Sequence, residues 1–111
     1  MQATVRDNPD QRRFEVWRGG QLAGFAEYRL RGDLLSLPHT EVEPALEGQG
    51  LGSMVVRAAL DDARARGLSV LPLCPFVRAF IVDHPQYLDL VPPEQRARLD
   101  LGDGPPGGTR E

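Results

Sequence analysis

The residues of this chain best suited to do chemistry lie in EGQGLGS, residues 47–53, where Gly48, Gly50 and Gly52 alternate directly before an apolar helical pattern. The first N–H groups of a helix have no partner inside it, and the helix dipole places partial positive charge there. Glycine lets such amides approach an anion closely because it carries no Cβ. We therefore predict that this main chain binds a diphosphate, through Gly48, Gln49, Gly50, Leu51, Gly52 and Ser53.

The spacing of the glycines also allows a simpler interpretation. They could form a flexible surface loop whose last glycine only helps to begin the helix. Two familiar phosphate motifs are disfavoured. A P-loop needs a lysine that this segment lacks, and a dinucleotide fingerprint needs a third glycine where Ser53 stands.

Four predicted strands precede the glycine loop. Alternating apolar residues and turn signals place them at residues 3–8, 12–18, 22–32 and 34–44, which together predict an antiparallel meander. Pro38 lies inside the fourth strand and cannot donate to a ladder. It therefore requires an edge position, a bulge or an interruption of the pairing.

A different periodicity follows the loop. Apolar residues recur at helical spacing over residues 51–66, and Gly67 is typical of a helix end. Residues 68–74, LSVLPLC, predict a strand buried on both faces, and residues 76–84 predict a second helix with Pro75 in its first turn. The whole is an α+β fold in which a β-α-β crossover follows the meander.

Length and composition indicate one domain. We place it at residues 1–91 and treat residues 92–111 as a tail rich in proline, glycine and charge, which has little to bury and is disordered after Leu101. The formal net charge of −3 disfavours a nucleic-acid partner. No apolar run reaches the ~18 residues of a membrane span, and no signal peptide is visible. With a single cysteine, Cys74, we expect a reducing cytoplasm and no cysteine-based metal site.

The residues from His39 to Leu90 resemble the minimal, single-domain branch of the Gcn5-related N-acetyltransferases (GNAT). The specific pieces are HTEV at the end of the fourth strand, the glycine loop, LCPFV and HPQY. The pyrophosphate motif of that family usually runs Arg/Gln-x-x-Gly-x-Gly/Ala. Gly50 and Gly52 match its last two positions, whereas Glu47 stands at the first.

The resemblance implies a mixed sheet that splits into a V between the fourth and fifth strands. Acetyl-CoA would lie in that cleft, with its pyrophosphate on residues 48–53 and its pantetheine arm paired with the main chain near Val42. The implied activity is transfer of an acetyl group to a primary amine, either a small amine or a protein lysine, without a metal. The alternative is a module that binds coenzyme A or another protein with little or no catalysis. We expect a monomer or weak dimer.

The family also implies candidates for the chemistry. Strand alternation puts His39 and Glu41 on one face, where either could act as general base if the cleft lies on that side; otherwise they are solvated polar residues. Cys74 lines the site or carries the acetyl group, unless it is simply a buried cysteine. Tyr87 protonates the departing thiolate, or else is a packing residue.

Overall fold

The structure is a computed structural model that describes residues 2–101. Its chain order is four strands, a long helix, a short strand and two further helices. Short 3₁₀ segments at Pro44–Leu46 and Pro85–Leu90 connect β-strand to helix and helix to helix. The strands are β1 (Ala3–Asn8), β2 (Arg13–Arg18), β3 (Gln21–Arg31), β4 (Leu34–Val42) and β5 (Ser69–Leu71), and the helices are α1 (Leu51–Ala65), α2 (Pro75–Asp83) and α3 (Pro93–Arg98).

The five strands form one sheet in the order β1-β2-β3-β4-β5. The first four pair antiparallel, and β5 runs parallel to β4. This order confirms the predicted meander and crossover. Consecutive strands joined by tight turns pair as antiparallel neighbours, and the helix returns the chain so that the next strand can pair in parallel.

Pro38 lies at a bulge in β4, one of the three situations that its missing N–H group predicts. His39 is opposite Glu27 on β3, but Ser36 is opposite Arg29, so β4 has one more residue than β3 in this interval. An extra residue reverses the alternation of faces along a strand. Beyond the bulge, Thr40 therefore lies on the same face as the buried Leu37.

The fifth strand is shorter than residues 68–74, where the sequence predicted it. Pairing between β4 and β5 ends where Ser36 is opposite Leu71. Pro72 follows directly and has no N–H group to continue the ladder. Beyond this point one main-chain hydrogen bond joins β4 to the segment after β5, from the Cys74 amide to the Leu37 carbonyl at 2.9 Å. The sheet opens between β4 and β5 past these residues.

Helix α1 packs against the sheet and is itself contacted by α2 and by the Pro85–Leu90 turn. Its stripe of buried residues, among them Val55, Ala59 and Ala63, meets apolar side chains of the strands such as Val16 and Leu35. These helices therefore cover one face of the sheet. In α1, the amphipathic spacing of residues 51–65 places the apolar side chains on the side that faces the sheet.

The chain continues to pack beyond residue 91, where the sequence analysis ended the domain. Helix α3 follows immediately, and Leu101 is only 6% exposed within the core cluster. Residues 92–101 thus have more to bury than their composition suggested. The predicted disorder after Leu101 lies outside the described residues. Within residues 2–101, no helix combines the length and the apolar character that crossing a bilayer requires.

Candidate functional site

The first turn of α1 presents unpaired amides. The Met54 amide makes the first bond of the helix, to the Gly50 carbonyl at 3.0 Å, so the amides of residues 51–53 precede it and have no acceptor within residues 2–101. No side chain caps this end of the helix. Such amides, together with the helix dipole, favour an anion.

Two of the loop glycines have backbone angles that other residues adopt at a cost. Gly48 has φ +87° and Gly50 has φ +77°, both in the left-handed region. An L-residue there loses about 1–2 kcal/mol. Their Cβ positions meet no atom within 4 Å, so the glycines leave open space in front of the helix.

Gly52 is needed for a different reason. It lies inside α1, and a Cβ on it would come within 3.0 Å of the Phe76 ring and 3.4 Å of a Val42 methyl group. Glycine at this position allows the start of α2 to approach the start of α1 and the end of β4. The glycine alternation in the sequence thus reflects two turn conformations and one close contact.

These elements enclose a pocket of about 330 Å³. Its lining residues come from β4, the glycine loop, the first turn of α1 and the first turn of α2. They are Thr40, Val42, Glu47, Gly48, Gly50, Leu51, Gly52, Ser53 and Phe76. Among the described residues that line it, Glu47 is the sole charged one, so any anion bound here would be held by main-chain amides rather than by a cationic side chain.

Cys74 lies beside the end of this pocket nearest the β4 bulge. Its thiol donates to the Thr40 hydroxyl at an Sγ–Oγ1 distance of 3.6 Å, and Thr40 lines the pocket. Only 5% of Cys74 is exposed. The residue is the N-cap of α2 and its amide bonds to Leu37, so both the main chain and the side chain of Cys74 are fixed to β4.

His39 and Glu41 lie on the opposite face of β4 from the pocket. Neither lines it, whereas Thr40 and Val42 do. Strand alternation predicts the pair in the cleft only if the cleft lies on their face, whereas the pocket lies on the other face because of the bulge. His39 Nε2 is 3.5 Å from Glu41 Oε2, and both side chains are about half exposed, at 49% and 61%. Glu41 instead lines a second pocket of about 410 Å³, which shares Val42 and Glu47 with the first.

The structure does not bring Tyr87 to the pocket. Its hydroxyl donates to Asp61 Oδ1 at 2.6 Å and accepts from Arg57 Nη1 at 3.4 Å, both on α1 and neither among the lining residues. Burial and the bond to Asp61 raise the pKa of Tyr87 above its ordinary value. Tyr87 is 4% exposed and packs against Phe80, so it joins the turn after α2 to α1.

Two lining residues were not singled out for function in the sequence. Phe76 is 44% exposed and sits over Gly52, a position that only the packing of α2 on α1 reveals. Thr40 shares a face with Val42, which alternation predicts, but the bulge decides that this face meets the pocket. Within residues 2–101, no group of three or more histidine, cysteine or carboxylate side chains is arranged to hold a metal ion.

Comparison with known proteins agrees with this fold. The sequence model of the GCN5-related N-acetyl-transferase family matches residues 13–90, which include four strands, the glycine loop and α2. The chain belongs to this family. The match begins in β2 and ends at the last residue of the 3₁₀ turn that carries Tyr87, so it covers every predicted site residue of this GNAT protein.

Solved structures show the same fold. The ribosomal-protein-S18-alanine N-acetyltransferase from Escherichia coli has 26% identity and a TM-score of 0.52, over 56% of this chain and 42% of its own. A GCN5-like N-acetyltransferase candidate from Staphylococcus aureus has 21% identity and a TM-score of 0.63, over 80% and 87%. N-acetylglutamate synthase from Neisseria gonorrhoeae, solved with coenzyme A and N-acetyl-glutamate, has 22% identity and a TM-score of 0.50, over 55% and 15%.

The GNAT chain described here spans less than half of the Escherichia coli enzyme and most of the Staphylococcus aureus protein. It is therefore similar in length to the Staphylococcus aureus protein, whereas it shares only part of the fold of the Escherichia coli enzyme. The identity to the second protein supports the fold alone.

Proposed function

We propose that this protein is an N-acetyltransferase that moves an acetyl group from acetyl-CoA to a primary amine. The observation that carries the proposal is the pocket itself. It joins the free amides at the start of α1 to Thr40 and Cys74 at the opening of the sheet. Family membership makes an acyl group from coenzyme A the expected ligand for that arrangement.

The residues present fit a coenzyme diphosphate. Three amides at residues 51–53 lack acceptors among the described residues, and Gly48 and Gly50 place no side chain before them. Beyond Ser36, one edge of β4 is no longer paired to β5, so main-chain groups near Val42 are available to a pantetheine arm as an added strand would be. Because Glu47 is acidic, binding depends on amides and the helix dipole.

The bound coenzyme supplies an activated acetyl thioester, and the chain's own groups handle the proton on the acceptor. His39 and Glu41 form a pair on the face of β4 opposite the pocket. In this proposal the ammonium group of the acceptor approaches from that face and meets this pair. Either side chain takes its proton, directly or through water, and leaves the neutral amine as nucleophile.

The acceptor is a small amine or an exposed protein lysine. An acidic chain attracts a cationic acceptor better than a polyanion, since the formal net charge is −3. In this proposal Cys74 lies beside the pocket; it is not the residue that carries the acetyl group. Its thiol is buried against the Thr40 hydroxyl and is not among the described groups that line the pocket, so a thioester bound there does not reach it.

A second candidate function is a module that binds coenzyme A and acts through another protein. The observation that favours it is the placement of Tyr87, which leaves the pocket without the phenol expected as proton donor. Location in the cytoplasm and a monomeric or weakly dimeric state remain predictions. They rest on the single cysteine and on the small size of the chain.

One experiment separates these possibilities. Coenzyme A should raise the Tm of the protein, since a ligand that binds only the folded state stabilises it. Acetyl-CoA is then mixed with polyamines, small amines or lysine peptides, and release of the free thiol is followed. Release that requires both the amine and the protein supports the enzyme. A rise in Tm without release for any amine supports the module, and no rise in Tm contradicts both.

A further inference from the structure

Polar side chains are unevenly placed in the pocket. Of the described lining residues, Thr40, Glu47 and Ser53 carry a polar side chain. Glu47 and Ser53 flank the glycines, at the end where the free amides lie. Thr40 stands at the other end, beside the β4 bulge and the opening of the sheet. At that end the Thr40 hydroxyl is the side-chain group that can exchange a proton with a bound molecule.

The contact with Cys74 leaves the Thr40 hydroxyl able to donate its own proton elsewhere. The thiol donates its proton to Thr40 Oγ1. A threonine hydroxyl has one proton and two acceptor lone pairs, so accepting from the thiol leaves its own proton free to donate elsewhere. Because Thr40 lines the pocket, this proton can be donated into the pocket.

We propose that Thr40 is the proton donor to the departing thiolate and that Cys74 is the source from which Thr40 recovers its proton. This inference rests on the proposed acetyltransferase function. It assigns to the pair Thr40–Cys74 the task that the resemblance gave to Tyr87.

The protons and electrons of the transfer step balance among the thioester, the acceptor amine, Thr40 and Cys74. As the amide bond to the acceptor forms, the carbon–sulphur bond of the thioester breaks and its electron pair leaves on the coenzyme sulphur. Thr40 gives its proton to that sulphur, and the Cys74 thiol gives its proton to Thr40 Oγ1. Cys74 is left as a thiolate, to which the rotated Thr40 hydroxyl donates. The proton removed from the acceptor amine returns through water and restores the thiol.

The proton begins on one thiol and ends on another. The intervening hydroxyl only passes the proton on. In contrast, the pKa of the Tyr87 phenol is raised by its burial and by Asp61, and its hydroxyl is already committed to Asp61.

The test compares Thr40→Val with Thr40→Ser. Valine keeps the shape and removes the hydroxyl, whereas serine keeps the hydroxyl. Loss of a general acid lowers the rate by about 100-fold or more. We expect that fall in kcat for Thr40→Val with an unchanged Kd for coenzyme A, and recovery to within about threefold of wild type for Thr40→Ser. The solvent deuterium isotope effect on kcat should change in Thr40→Val and return in Thr40→Ser.

A second readout needs no coenzyme. The rate at which iodoacetamide alkylates Cys74 is measured in the ligand-free protein, because only the thiolate reacts. The Thr40 hydroxyl can donate to that thiolate, and such charge-assisted bonds are strong. Thr40→Val should therefore be alkylated several-fold more slowly than wild type, and Thr40→Ser at nearly the wild-type rate. Equal rates in all three proteins overturn the proposed link between the two side chains.

These experiments distinguish a failure of the proton transfer from a failure of the proposed acetyltransferase function. If wild type transfers acetyl groups and Thr40→Val does so equally fast, the proton transfer is overturned and the enzyme remains. If the wild-type protein shows no amine-dependent release of free thiol, both the proposed function and the proton transfer are overturned. Should Thr40→Val not fold, Cys74→Ala removes the proton source. It is expected to lose kcat while keeping its affinity for coenzyme A, and an unchanged kcat overturns the proposal.

Discussion

The ring of Phe76 lies directly over Gly52, so close that a Cβ on residue 52 would come within 3.0 Å of it. The same Cβ would be 3.4 Å from a methyl group of Val42. The first turns of α1 and α2 and the end of β4 therefore meet at one residue that has no side chain. This junction sets the width of the pocket between the glycine loop and β4.

Substitution of Gly52 should block coenzyme binding more than it destabilises the fold. In Gly52→Val the added side chain enters the pocket between Val42 and Phe76. The Phe76 ring is 44% exposed and can move aside, so the fold can accommodate the added side chain. We expect the Kd for coenzyme A, by calorimetry, to rise at least about tenfold, which is a loss of about 1.4 kcal/mol.

The control for Gly52→Val is Phe76→Ala, which removes the ring without filling the pocket. Its Kd for coenzyme A should stay much closer to wild type. Thermal melts establish that both variants fold. A folded Gly52→Val protein with wild-type affinity would show that the ligand does not use this pocket.

Removing the Tyr87 hydroxyl should affect stability and not catalysis. Tyr87→Phe loses the bonds to Asp61 and Arg57, worth about 1 kcal/mol in the free energy of unfolding. We expect the rate of amine-dependent thiol release to stay within about twofold of wild type, well short of the loss of a general acid. If the folded variant instead turns over about 100-fold more slowly, the proton-donor role returns to Tyr87.

Glu15 gives the clearest pH dependence of stability. It is 2% exposed on β2. Burial would raise its pKa, but hydrogen bonds from Arg13, Asn8 and Trp17 hold the pKa below the ordinary value of 4.5. A lowered carboxyl pKa stabilises the fold above the ordinary value, and the contribution is lost as the pH falls through the lowered one.

Replacing Glu15 should remove that contribution. Glu15→Gln is expected to lose about 1–3 kcal/mol of unfolding free energy at neutral pH, because it weakens charge-assisted bonds. Denaturant melts of both proteins should show the difference shrinking as the pH drops below 4.5. A difference that grows under acid conditions would contradict the assignment.

The pair His39–Glu41 should matter for rate and hardly for stability. Both side chains are about half exposed. Surface replacements of this kind change unfolding free energy by about 0.5 kcal/mol or less. The double variant His39→Gln, Glu41→Gln should lower kcat by about 100-fold while the Kd for coenzyme A is retained. Glu94→Gln on α3 is the matched charge control, and equal rates for the double variant and the control would exclude the pair as base.

Local sequence signals predict much of the fold. Hairpin turns, the helical spacing after residue 51 and the glycine at residue 67 predicted the order of elements. The loop glycines predict an anion site because their two relevant properties, tolerance of positive φ and the lack of a side chain, are properties of the residues themselves. Pro38 predicted a disturbance of β4, since a proline N–H is always missing.

The remaining features depend on contacts distant in sequence. Proline allows three outcomes, and only the pairing with β3 selects the bulge that turns Thr40 rather than His39 toward the pocket. The burial of Leu101 depends on the core being complete around it. Tyr87 has the residue type for a proton donor, but the packing of its turn on α1 directs the hydroxyl to Asp61.

The most direct test of the coenzyme site compares two glycines with the same backbone strain. Gly50 (φ +77°) precedes α1, and Gly67 (φ +70°) follows it; a Cβ on either meets nothing within 4 Å. Each change to alanine should cost about 1–2 kcal/mol of stability. The measurement is the Kd for coenzyme A of both folded variants. We predict weakening of at least about tenfold, about 1.4 kcal/mol, for Gly50→Ala and none for Gly67→Ala. Equal affinities for the two variants would contradict binding of the coenzyme at the start of α1.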